Sequence, residues 1–333
     1  MRKIEKIMKD CQFNHQKFNH PEKSKQKNRL NSKISDRVLI AVGSLVGFCC
    51  LSFSLPGLAT TNEKLVNPSV TDQRFLPKLL IPKSQPQPVI ERRVVPEFGQ
   101  HFQDLKVEGS IIIYDPQKNQ IYEHNPKRNQ TPFSPASTFK ILNSLISLDA
   151  QVIPDQDVRF TWDGIQRPFP GWNQDLNMRE AFKVSAVWFY QILARRIGYE
   201  RMKAGVIGAN YGDRNIGDPS NIDQFWLSGP LKITPEEQIQ FLQRLYLNQL
   251  PFSERSIAIV KDIMIMDQTA QYTVRAKTGW AMSANPQTGW YVGYLEQNQQ
   301  VYFFATNLEL PEPAQATARK AITYRCLRTL GLL

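Results

Sequence analysis

A chain of 333 residues, 41% hydrophobic and 21% charged, has the composition of an ordinary globular protein, long enough for one large domain or two small ones. Its formal charge of +11 points toward a nucleic-acid or membrane-surface partner. However, residues 1–37 alone hold 11 Lys or Arg against 4 Asp or Glu, so the basicity belongs to a leader and nucleic-acid binding is excluded. Beyond the leader lie only two histidines, His101 and His124, and one cysteine, Cys326. That leaves no material for a Ser-His-Asp constellation, a metal site or an internal disulfide.

The first 60 residues read as a basic leader. An uncharged stretch, Val38 to Leu55, is followed by a small-x-small pattern at Gly57 and Ala59. That order describes either a cleaved secretory signal or an uncleaved membrane anchor through residues 38–55. In both cases the basic end stays cytoplasmic and the rest is exported to the periplasm. Residues 61–100 hold six prolines among polar neighbours and read as an extended linker, leaving 101–333 as the folded body.

The body opens with β-rich runs over 107–114 and 120–124, joined by the turn signal Asp115 to Asn119. Helical periodicity follows over 137–149, 178–198, 235–248 and 253–267. Strand-like runs return at 272–276, 289–296 and 301–308, and a last amphipathic helix covers 314–331. Strands at both ends with helices between predict an α+β fold. One antiparallel sheet is closed by the N- and C-terminal segments, flanked by helices and joined to a helical subdomain.

Three short motifs carry the chemistry. Ser137-Thr-Phe-Lys140 opens an apolar helix, and its spacing brings a lysine amine and a serine hydroxyl to one helical face. The free N–H groups of that helix start suit a developing oxyanion. Alone the pattern is weak, since Ser24 and Lys27 in the leader match it as well. Lys277-Thr278-Gly279 follows a strand-like run and offers a cation, a hydroxyl and open backbone to a carboxylated ligand. S-x-x-K followed by K-T-G is the pairing of serine β-lactamases and penicillin-binding proteins. The intervening motif, Ser185-Ala186-Val187, has valine where Ser-x-Asn would mark a penicillin-binding protein.

With FSPASTFK at 133–140, QFWLSGPLKIT at 224–234, GWYVGYLE at 289–296 and ARKAI at 318–322, the body over about 105–330 resembles the class D (oxacillinase-type) serine β-lactamases. The resemblance implies Ser137 as nucleophile and Lys140, carboxylated by carbon dioxide, as general base, with no other cofactor. It further implies Ser185 as a proton shuttle toward Lys277 and the departing nitrogen. Val187 and Trp226 would line the base pocket, with the Trp226 indole N–H on the carbamate. Thr278, Gly279, Trp280 and Arg319 would bind β-lactam antibiotics, Arg319 through their carboxylate and Trp280 through its N–H in the oxyanion hole. Asp213 stands where the family has the Asn of Tyr-Gly-Asn; shared turn chemistry favours a loop position that takes either residue, the other reading being a charge near the base. Two other readings stay open: a sensor that acylates without turnover, and a cell-wall D,D-peptidase.

Overall fold

The computed structural model describes residues 90–310 and 313–333; the leader, the span at 38–55 and most of the linker lie outside them. Among the described residues no helix is long and apolar enough to cross a membrane.

A seven-stranded sheet forms the centre. Its strands are β1 (Glu91–Val94), β2 (Gly109–Asp115), β3 (Gln120–His124), β4 (Ile265–Gln268), β5 (Tyr272–Ala281), β6 (Thr288–Gln297) and β7 (Gln300–Glu309). They run in the order β1-β3-β2-β7-β6-β5-β4. The middle strands are buried on both faces, which is why they read as unbroken apolar runs. Their side chains divide by the two-residue strand period. Ile112, Trp290, Val292 and Phe303 enter one core with the helices, while Ile111, Ile113, Tyr291 and Phe304 enter a second on the opposite face. β5, β6 and β7 pair antiparallel in unbroken register, and Asn298 and Gln299, both with positive φ, turn the last hairpin.

Residues 91–100, expected in the linker, belong instead to the folded body as β1 and the start of α1 (Pro96–Asp104). Pro96 is not a linker proline: it sits in the first turn of a helix, where its missing N–H costs nothing. α1 buries Phe98 and Phe102 in the second core, worth roughly 1.5–3 kcal/mol each. β1 also departs from the all-antiparallel expectation, since it runs parallel to β3. Its anchor is Arg92, whose Nε and Nη2 reach the buried Glu123 carboxylate at 2.9 and 3.0 Å, while Nη1 reaches Glu236 at 2.9 Å.

On the first face lie α2 (Pro126–Asn129), α3 (Lys140–Asp149), α4 (Met178–Val184), α5 (Val187–Ile197), α6 (Tyr199–Gly208), α7 (Pro235–Tyr246) and α8 (Glu254–Ile263). Capping boxes start α4 at Asn177 with Glu180, and α7 at Thr234 with Glu237. Two expected helices are shorter than their periodicity implies. The pattern over 178–198 breaks at Ser185, and that over 253–267 ends at Ile263, its last residues forming edge strand β4. A run such as Ile263 to Met266 suits either period, and pairing with β5 decides it. α6 carries no strong periodic signal: Gly205 and Gly208 weaken it, yet Gly205 lets the helix approach Ile146. α9 (Ala318–Thr329) packs with α1 on the second face.

Candidate active site

Ser137 lies in a 3-10 turn, Ala136–Phe139, that leads into α3. In a 3-10 turn residues i and i+3 eclipse, so Lys140 stands over Ser137 and its Nζ donates to Ser137 Oγ at 2.8 Å. The turn is fastened on three sides. Pro135 O accepts both Thr138 N (3.1 Å) and Thr138 Oγ1 (2.8 Å), Gln238 Nε2 from α7 donates to Thr138 Oγ1 at 2.9 Å, and Trp290 Nε1 from β6 donates to Ser134 O at 2.9 Å. Ala136, just before the nucleophile, is fully buried at φ 47°, a conformation these bonds hold against its preference. β5 lies against the turn, and a Cβ on Gly279 would come within 3.0 Å of Thr138 Cγ2 and 3.1 Å of Pro135 O. The glycine of the K-T-G motif is therefore what lets strand and turn meet.

Lys140 is 0% exposed. Burial alone pulls its pKa down to about 7, because no carboxylate offsets the cost of desolvating an ammonium. The Tyr190 ring of α5 lies 5.2 Å from Nζ, and Tyr190 OH bonds Ser144 Oγ at 3.0 Å. Trp226 is fully buried and stacked on Phe139, with ring centroids 5.4 Å apart. Its Nε1 has no hydrogen-bond partner among the described residues.

Ser185 occupies the left-handed position that ends α4, at φ 60° and ψ 35°. Ala186 N bonds Ala181 O and Ser185 N bonds Phe182 O, the paired closure of a Schellman motif. Glycine usually fills that position, and a serine there costs roughly 1–2 kcal/mol. In return the hydroxyl faces β5: Lys277 Nζ donates to Ser185 Oγ at 3.0 Å, and also reaches Thr278 O at 3.0 Å and Thr278 Oγ1 at 3.3 Å. Burial, then Lys140, then Arg319 hold the Lys277 amine well below its usual range. Arg319, from the first turn of α9, donates through Nη1 to Gly279 O at 2.5 Å and through Nε to Ala316 O at 2.6 Å. Burial lowers its pKa to about 10, so it stays cationic at neutral pH. Gly289 makes room for it, since a Cβ there would sit 2.8 Å from Arg319 Cδ. Trp280 donates its indole N–H to Gln287 Oε1 at 2.8 Å.

Residues 109–328 match the penicillin binding protein transpeptidase domain. The chain is 42% identical over 228 residues to the β-lactamase OXA-48 of Klebsiella pneumoniae, covering 68% of this chain and 85% of that one. It is 39% identical over 227 residues to the probable β-lactamase YbxI of Bacillus subtilis, covering 68% and 82%. The crystal structure of the class D β-lactamase YbXI from Nostoc superposes with a TM-score of 0.70 at 54% identity, covering 71% of this chain and 99% of that one. The class D β-lactamase FUS-1 (OXA-85) of Fusobacterium nucleatum subsp. polymorphum also gives 0.70, at 34% identity and coverages of 72% and 100%. The chain belongs to the class D serine β-lactamase family.

In this class D chain the structure brings Ser137, Lys140, Ser185, Lys277 and Thr278 together. Val187 opens α5 and is only half-buried, whereas the ring beneath the Lys140 amine is Tyr190, three residues on. The signal for Tyr190 was its i+3 spacing from Val187 on one helix face. Asp213 brings no charge to the base. It is exposed, and its Oδ1 accepts Asn215 N and Lys232 N, both at 3.1 Å, which an Asn carbonyl oxygen would do equally. Lys320 faces solvent, so Arg319 is the inward cation of its pair.

Proposed function

We propose that this protein hydrolyses β-lactams through an acyl-enzyme on Ser137. The observation that carries the proposal is the 2.8 Å contact between Ser137 Oγ and an amine that burial brings to a pKa of about 7. At neutral pH about half of such amines are uncharged and able to take up carbon dioxide. The residues present suit a carboxylated Lys140. A buried amine with no carboxylate beside it can accept the group, and the unpartnered Trp226 indole N–H is a donor for the resulting anion. Carboxylated, Lys140 supplies the general base for acylation and deacylation.

The chain's own residues do the rest. Ser137 Oγ attacks the lactam carbonyl, and the backbone N–H groups of Ser137 and Trp280 take the oxyanion. An ester bond forms as the lactam C–N bond breaks. The nitrogen takes a proton from Ser185 Oγ, which recovers one through Lys277 Nζ, and Lys277 in turn takes the proton that Ser137 gave up to the base at Lys140. Arg319 spends two of its five N–H groups on Gly279 and Ala316, leaving donors for the substrate carboxylate beside Thr278. Water then cleaves the ester, its hydroxyl joining the acyl carbon and its own proton going to Ser137 Oγ. The order of residues 1–60 (basic, apolar, then small-x-small) supports export before the domain meets its substrate.

Mass spectrometry of the protein with benzylpenicillin and bicarbonate tests this directly. A transient adduct on Ser137 with rapid product release is expected. A persistent adduct without product would establish a sensor, release of terminal D-Ala from a cell-wall peptide would establish a D,D-peptidase, and no adduct would overturn the reading. Arg319→Ala is expected to raise KM for carboxylated lactams by ~10–100-fold, the worth of a charged hydrogen bond. Lys320→Ala should leave KM unchanged, and an unchanged KM in Arg319→Ala as well would remove that role.

A further inference from the structure

The Schellman turn that carries Ser185 satisfies Ala181 O and Phe182 O but not the last two carbonyls of α4, of which Lys183 O belongs to an exposed residue and Val184 O faces the protein. Trp172 supplies the donor, its Nε1 lying 2.9 Å away. Trp172 comes from the short 3-10 segment Pro170–Trp172, and its own carbonyl accepts Trp188 Nε1 at 2.8 Å. Trp188 is the second residue of α5, on the far side of the same turn. The chain from Val184 through Ser185 to Trp188 is thus closed into a ring by two indole hydrogen bonds that both pass through Trp172. An indole N–H is a donor only, so the direction of both bonds is fixed.

The segment is built to lie there. A Cβ on Gly171 would come within 3.2 Å of Val184 Cγ1, so the backbone at 171 rests on Val184. Arg167 and Asn173 close the loop behind it, Arg167 N on Asn173 Oδ1 at 2.8 Å and Asn173 Nδ2 on Arg167 O at 2.9 Å. The Arg167 guanidinium, paired with Asp163, lies 5.9 Å from the Trp188 ring.

The apolar period over 178–198 favours one continuous helix, and continuing it would take Ser185 out of its left-handed conformation and swing its hydroxyl off Lys277. We propose that Trp188 and Trp172 are positioning residues that hold the Ser185 turn open, so that the hydroxyl meets Lys277 Nζ. The proposal rests on the reading of Ser185 as the proton relay of lactam opening. Trp188 is 4% exposed and acts only through the turn, whereas Trp172 is half-buried.

Trp188→Phe and Trp172→Phe keep one aromatic ring and remove, with the rest of each indole, the N–H that makes the bond. Acylation by benzylpenicillin in bicarbonate buffer would be followed by quenched mass spectrometry, in the wild-type and Ser185→Ala backgrounds, with melting temperatures recorded. We expect Trp188→Phe to slow acylation on the order of tenfold with KM little changed, and to add nothing in the Ser185→Ala background, because the two act as one unit. Trp172→Phe should show the same non-additivity, and carries the test alone if Trp188→Phe does not fold. Wild-type acylation rates in the Phe variants, or an equal loss in both backgrounds, would overturn the clamp while leaving the β-lactamase reading intact. No adduct with the wild-type chain would overturn both.

Discussion

Lys140→Ala is expected to fold and to lose turnover by ~10²–10⁴-fold, the range for removing a general base. Ser137 remains in its fastened turn, because the bonds from Thr138, Gln238 and Trp290 do not involve Lys140. The loss should therefore appear in chemistry rather than in assembly. The wild-type pH profile sharpens the test. The amine titrates at about 7 in the folded protein, against 10.5 for a solvated lysine, so below pH 7 it is protonated and cannot be carboxylated. Turnover should fall as pH drops through 7, bicarbonate should raise it in the wild type, and neither effect should survive in Lys140→Ala. Stability follows the same linkage with a definite sign. Between pH 7 and 10.5 the unfolded chain binds a proton that the native state does not, so this residue makes stability rise with pH across that window. Steady-state rates from about pH 5 to 9, with and without bicarbonate, check the first claim, and full activity in Lys140→Ala would end the base assignment.

What the sequence made legible is what short spacing encodes. Ser137 and Lys140 are three residues apart, and any helical turn brings them together; Lys277 to Gly279 are consecutive, and a strand presents them. The sheet centre was equally plain, because strands covered on both faces must be apolar throughout. The missed features depend on partners distant in sequence. β1 has the composition of a linker and becomes a strand by pairing with β3, where Arg92 also meets Glu123 thirty-one residues on. Ser185 carries no glycine signal at a position that glycine usually fills, so the helix around it read as continuous. Its break is enforced by hydrogen bonds, one of them from Trp172. The turn role of Asp213 was legible from the chemistry that Asn and Asp share, whereas its long-range partner, Lys232 N, was not.

Trp226→Phe separates structure from function most cleanly. Phenylalanine keeps a ring against Phe139 but loses part of the indole's bulk together with the buried N–H that has no partner among the described residues. If Trp226 only fills the core, that deletion is favourable or neutral: an unsatisfied buried donor costs roughly 1–3 kcal/mol, set against the loss of part of a large ring. Melting temperature would then hold or rise, and activity would not change. If the N–H holds the carboxylated form of Lys140, the same substitution releases that group. Turnover should fall by ~100-fold, as for loss of an oriented hydrogen bond to a reacting centre, and recover partly as bicarbonate is raised. With ¹³C-labelled bicarbonate, the carbamate signal of the wild type should weaken in Trp226→Phe and vanish in Lys140→Ala. A full-strength carbamate signal with unchanged turnover would return Trp226 to the core and leave the base to be held by other groups.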